Sequence, residues 1–104
     1  MKIIFTKMIP LRRFAAINFF GILFAPKGIK LSSQTVNHEA IHTAQMKEML
    51  FVFFYLWYLI EWLIRLFCKG NAYRNIAFEK EAYQNDHDKN YLNSREPYSW
   101  FKFL

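Results

Sequence analysis

His38-Glu39-Ala40-Ile41-His42 places two imidazoles four residues apart with a carboxylate beside the first. On a helix that spacing stacks both rings on one face, a turn apart, so a single metal ion can be gripped from one side. Zinc is the ion such a pair usually holds, and Glu39 stands where it can take a proton from a metal-bound water. The motif specifies only three residues, so its meaning depends on whether the rest of the chain supplies a third ligand.

Catalytic zinc sites take three protein ligands and leave a position to water. Beyond His42 the candidates are Glu61, Glu79, Glu81, Asp86, His87 and Asp88. Glu48 lies on the motif's own helix, six residues from His42 and turned to the other side. Glu61 follows His42 by nineteen residues with no Gly or Pro between, so a continuous helix carries it roughly 28 Å along the axis. Phe78-Glu79-Lys80-Glu81-Ala82-Tyr83 is the stronger source, because it follows a helix stop at Lys69-Gly70-Asn71 and can fold back across the motif. Glu79 and Glu81 stand about 200° apart around a helix, so only one of them can serve. His87 reads as a surface histidine, Asp86 and Asp88 as solvated charges, and Gln45 as either a site-lining or an exposed polar residue.

Residues 38–42 and 79–83, with a strand and turn leading into the site helix, resemble the gluzincin metallopeptidases, and among them the small versions called minigluzincins. The resemblance implies zinc held by His38, His42 and Glu79, with Glu39 as general base in peptide-bond hydrolysis. The chain departs from that pattern at Tyr83, where the family has an acid that orients a ligand histidine; a tyrosine hydroxyl brings no charge. Tyr83, His87 and Tyr91 stand as donors for the oxyanion of such a reaction.

These residues need elements to hold them. Ser32 and Ser33 can cap the site helix, with residues 34–36 in its first turn. From Thr35 there is no Gly or Pro until Gly70, so one helix, or two with a bend, runs over residues 34–68. Residues 49–60 are uninterrupted apolar sequence, followed by Glu61 and Arg65 as a helical ion pair in the favourable order. An acid and a base in its last third make this long apolar helix a buried or membrane-surface element rather than a span. A third helix is expected over 72–93, with Tyr73, Phe78 and Ala82 on its apolar face and Glu79, Glu81, Asp86 and Asp88 on the other. Pro97 then introduces an aromatic tail, 98–104, suited to the core, a membrane interface or a partner.

Ahead of the motif, Lys2, Lys7, Arg12 and Arg13 precede an apolar run over 14–25, a pattern like a signal peptide. Phe24-Ala25-Pro26 is a poor cleavage site and the run is too short to span a bilayer. A β-hairpin fits better, with strands near 15–24 and 29–31 about a turn at Pro26-Lys27-Gly28. Beside the site helix, such a strand would offer an extended peptide an edge to pair with.

The 104 residues predict a single α+β domain, 1–104: a short N-terminal β-hairpin packed on the site helix, a long apolar helix and a third helix carrying the carboxylate ligand. Hydrophobic residues make up 54% and aromatic ones 20%, a surplus over what a small core needs. The formal charge is +6, and no basic–aromatic nucleic-acid motif accompanies it. A membrane surface contacted through residues 49–68 accounts for charge and apolar surplus together. A lone cysteine, Cys68, excludes an internal disulfide and a Cys-rich zinc site. Two functions are compatible with these residues. One is a zinc peptidase cleaving a peptide or protein substrate, membrane-associated or cytoplasmic. The other is a non-catalytic membrane-associated or interaction protein with a structural metal or none.

Overall fold

Ser32 begins the site helix: its side chain accepts a hydrogen bond from the Thr35 amide at 3.1 Å, as an N-cap should. In the computed structural model, which describes residues 2–7, 16–28 and 30–104, the helix that follows is α1, Ser33–Glu48. Three strands precede it, β1 (Lys2–Thr6), β2 (Ile17–Phe19) and β3 (Ile22–Pro26). Helices α2 (Val52–Arg65), α3 (Ala72–Asn75), α4 (Ala77–Asn85) and α5 (Tyr91–Ser94) follow, and the chain ends in a 3-10 turn, Ser99–Phe103. The class is α+β.

The sheet order is β1-β3-β2, with β3 parallel to β1 and antiparallel to β2. A hairpin is present, but its turn is Phe20-Gly21 rather than Pro26-Lys27-Gly28. Both turn residues have positive φ, 52° and 88°, the twist a two-residue hairpin requires. Phe20 is an unusual residue there; its amide donates to the Tyr55 hydroxyl and its ring lies 5.2 Å from that of Tyr55, holding it in place. Pro26 instead ends β3, and the lead segment around Lys2 is a strand. Arg12, Arg13 and Ile29 lie outside the described residues.

No long apolar helix exists among the described residues; the expected run is cut at Met49-Leu50-Phe51. Leu50 (φ 52°) and Phe51 (φ 59°) reverse the chain without a glycine, and the Val52 amide closes onto the Leu50 carbonyl in a γ-turn. What remains is the 14-residue α2. The expected helix over 72–93 is likewise broken, at Ile76, whose extended backbone separates α3 from α4, and again after Asn85. Glu61 repairs the first of these breaks. Its carboxylate accepts the Ala77 amide at 3.0 Å, capping α4 from another helix, while Arg65 pairs with it at 3.3 Å.

The core lies between α1, α2, α4 and the C-terminal turn: Met46, Phe54, Phe78 and Trp100 are buried with Ile76 and Ala77. Phe78 stacks on Phe54 at 4.5 Å and meets Trp100 edge-on at 4.8 Å. The aromatic tail therefore folds onto the core through Trp100, while Phe101 and Leu104 stay exposed.

Candidate metal centre

α4 crosses α1 so that Glu79 faces both histidines. Glu79 Oε1 lies 3.2 Å from His38 Nε2 and 3.1 Å from His42 Nε2, and the two imidazole nitrogens are 3.2 Å apart. All three side chains are buried. Their ring and carboxylate partners decide which atoms face inward. Asp86 Oδ2 stands 2.9 Å from His38 Nδ1, and an ionised carboxylate can only accept, so that nitrogen carries the proton. Gln45 does the same for His42. Its Nε2 donates to the Phe78 carbonyl and to Glu81 Oε1, both at 3.0 Å, which turns its oxygen toward His42 Nδ1 at 2.8 Å. Both Nε2 lone pairs and one carboxylate oxygen thus converge on one point with no donor among them except a proton.

A tetrahedral ion with ligands at about 2.0–2.2 Å spaces them about 3.3–3.6 Å apart, close to the separations found. The donor set fits a metal ion. Without one, a proton must take its place. Burial disfavours the His42 imidazolium, but the adjacent Glu79 carboxylate outweighs it and raises the group to about 9. Burial likewise opposes ionised Glu79, yet His42 and its hydrogen bonds hold it well below the usual carboxylate range.

Asp86, weighed from the sequence as a ligand and read as a solvated charge, and Tyr58, not singled out at all, both support the centre without joining the three donors. Asp86 is buried, not solvated, and is held by Gln34 Nε2 at 2.9 Å while Asn37 grips its carbonyl at 2.8 Å. It is the C-cap of α4, seven residues after Glu79 and therefore on the same side, and it supplies the acid that position 83 lacks. Tyr83 instead meets the His38 ring edge-on at 4.5 Å, and the Arg74 guanidinium lies 3.8 Å over the Tyr83 ring. Tyr58, from the apolar run of α2, donates to Glu79 Oε2 at 2.7 Å and leaves Oε1 to the centre. A signal for it existed: Tyr58, Glu61 and Arg65 fall on one stripe of an otherwise apolar helix.

The other sequence candidates lie elsewhere. Glu81 is fully buried behind Gln45, bound to Arg95 and Tyr91. Arg95 also reaches Glu48 at 2.9 Å, so Glu48 joins this ion network and not the metal group. Glu61 caps α4, and His87 and Asp88 are exposed. Tyr91 is occupied by Glu81, so of the three suggested oxyanion donors only Tyr83 borders the centre, with its hydroxyl 2.9 Å from that of Tyr73.

Glu39 is half-buried at the junction of two depressions. One, about 190 Å³, is floored by Met46, Phe54, Tyr55 and Tyr58; the other, about 300 Å³, is bordered by Ser32, Thr35, Tyr73 and Tyr83. Burial raises the Glu39 carboxyl above its usual range, with the neighbouring histidines pulling the other way. Asn18 of β2 ties the strand to α1 through the Glu39 carbonyl at 2.9 Å and Thr43 at 3.1 Å. The edge that β2 was expected to offer a peptide is occupied in part by Tyr55, whose hydroxyl takes the Phe20 amide and donates to the Asn18 carbonyl.

No protein family, curated protein or solved structure matches the chain.

Proposed function

We propose that the protein is a small zinc-dependent peptidase of gluzincin type, with His38, His42 and Glu79 as ligands and Glu39 as general base. The observation that carries this reading is a three-donor group beside an accessible carboxylate: structural zinc sites are closed by a fourth protein ligand, whereas catalytic ones keep a position free. When bound, zinc supplies Lewis acidity, acidifying water and polarising a carbonyl.

The chain's own residues do the rest. Asp86 and Gln45 hold both imidazoles in the ligating tautomer, and Tyr58 fixes the Glu79 carboxylate. Glu39, kept basic by burial, accepts the proton of the attacking water and returns it to the leaving amine. Tyr83 and Tyr73, whose hydroxyls meet beside His38, border the same cleft as candidate oxyanion donors. Apolar walls on one side of Glu39 and polar ones on the other suit a peptide with an apolar side chain next to the scissile bond.

Glu39→Gln tests this directly. With zinc present, hydrolysis of a fluorogenic peptide library should fall by at least about 10²-fold while one equivalent of zinc stays bound. Unchanged hydrolysis would remove Glu39 from the mechanism, and wild-type protein that binds zinc yet cleaves nothing would favour a structural metal.

A further inference from the structure

Helix α2 is turned inside out for a surface helix. Its polar side chains face the protein: Tyr55 reaches β2, Tyr58 reaches Glu79, and Glu61 with Arg65 reaches the start of α4. The opposite side, carried by Val52, Phe53, Leu56, Leu59 and Leu63 and continued by Phe67, is exposed. Phe67 alone is 93% accessible. At 3.6 residues per turn the exposed apolar positions from Leu59 round to Ile64 sweep roughly 140° of the helix without a polar side chain. The C-terminal turn widens the same face, since Leu104 shares an apolar depression of about 490 Å³ with Ile60 and Ile64.

Charge says what covers it. Of the eight acids only Asp88 and Glu96 are exposed, the others being drawn into the metal centre, the Arg95 network or the α4 cap. Every lysine except Lys80 is exposed, so the outer surface is more basic than the formal +6 conveys. In sequence Lys47 and Lys69 flank the apolar run of α2, and Lys102 belongs to the C-terminal turn next to Leu104. A second copy would bring like charges together around the contact. No helix among the described residues is long and apolar enough to cross a membrane.

We propose that this face seats the protein on an anionic lipid bilayer, with α2 lying along the headgroup–acyl boundary and the surrounding lysines on lipid phosphates. One helix then has two jobs: its inner side supplies Tyr58 to the metal centre and its outer side holds the lipid. The membrane assignment stands whether or not the centre is catalytic.

The test is co-sedimentation of the full chain with vesicles of phosphatidylcholine alone and of phosphatidylcholine with phosphatidylglycerol. Wild type should pellet with the anionic vesicles and be partly released by salt. The Leu59→Glu/Leu63→Glu variant, altered only at exposed positions and checked for fold by circular dichroism, should partition at least about tenfold more weakly. Lys47→Glu/Lys69→Glu, which leaves the apolar face intact, should lose preference for the anionic vesicles. Wild type remaining in the supernatant, or the leucine variant pelleting equally well, would overturn the proposal. So would a dimer by light scattering that the leucine variant dissolves while vesicles do not compete for it.

Discussion

At the scale of single residues, the centre depends on how protons are placed. His38 and His42 present Nε2 only because Asp86 and Gln45 take Nδ1. Replacing either by Ala frees an imidazole to rotate or change tautomer. Zinc affinity, measured by competition with a chromophoric chelator, should drop by about 10- to 100-fold for each. The pH dependence has a defined sign. In metal-free protein His42 is raised from 6.5 to about 9, so its stabilising contribution is full below about 6.5 and is lost as pH rises through about 9. Zinc must displace that proton, so its affinity and its stabilising effect should grow over the same interval. Thermal melts between pH 6 and 10 should therefore fall with rising pH in chelator and stay nearly level above about 6.5 in zinc, where the gain in affinity offsets the lost proton. Parallel slopes would mean the His42 proton and the metal do not compete. The two histidines were legible because spacing on a helix is a local property, whereas Glu79 was reached through the helix stop at Gly70 and the resemblance carried by residues 79–83. Asp86 was not, because its role is set by Gln34 and Asn37, about fifty residues away, which enclose it.

At the scale of elements, the breaks did most to separate sequence from structure. Gly70 and Asn71 mark a boundary as read, with Asn71 capping α3 through the Arg74 amide at 3.2 Å. The reversal at Leu50-Phe51 carries no such punctuation. It forms because Met46 and Phe54 must both enter the core, and it draws its hydrogen bonds from the end of α1, with the Phe51 amide on the Met46 carbonyl at 2.7 Å. The ion network of Arg95 with Glu48 and Glu81 then fastens the C-terminal segment to α1 and α4. Its partners are nearly enclosed, and Arg95, through its hydrogen bonds, holds the Glu81 carboxyl below its usual range against the effect of burial. Arg95→Ala would leave two enclosed carboxylates unpaired. A loss of about 3–5 kcal/mol by denaturant unfolding is expected. The variant should also lose less on acidification, because a depressed carboxyl contributes above its unfolded value and surrenders that contribution as pH falls through the folded one. A change below about 1 kcal/mol would mean the network is solvated.

For the molecule as a whole, class and composition were readable. The α+β class follows from the Phe- and Ile-rich run before Pro26 and the helix signals after Ser32, and the apolar surplus and basic charge from the residue counts. The counts do not say where the surplus goes. Part of it closes the core around Phe78 and Trp100, and part is left on the outer side of α2, a division decided by which side of that helix carries Tyr58 and Glu61. α4 brings Glu79, rather than Glu81 or Glu61, to the two histidines, and the metal should depend on it. Elemental analysis of purified wild type, Glu79→Ala, Glu81→Ala and Glu61→Ala, each dialysed against the same free zinc, tests it most directly. One equivalent of zinc in wild type, its loss in Glu79→Ala and its retention in folded Glu81→Ala and Glu61→Ala is the predicted result. No zinc in wild type, or a full equivalent in Glu79→Ala, would contradict it.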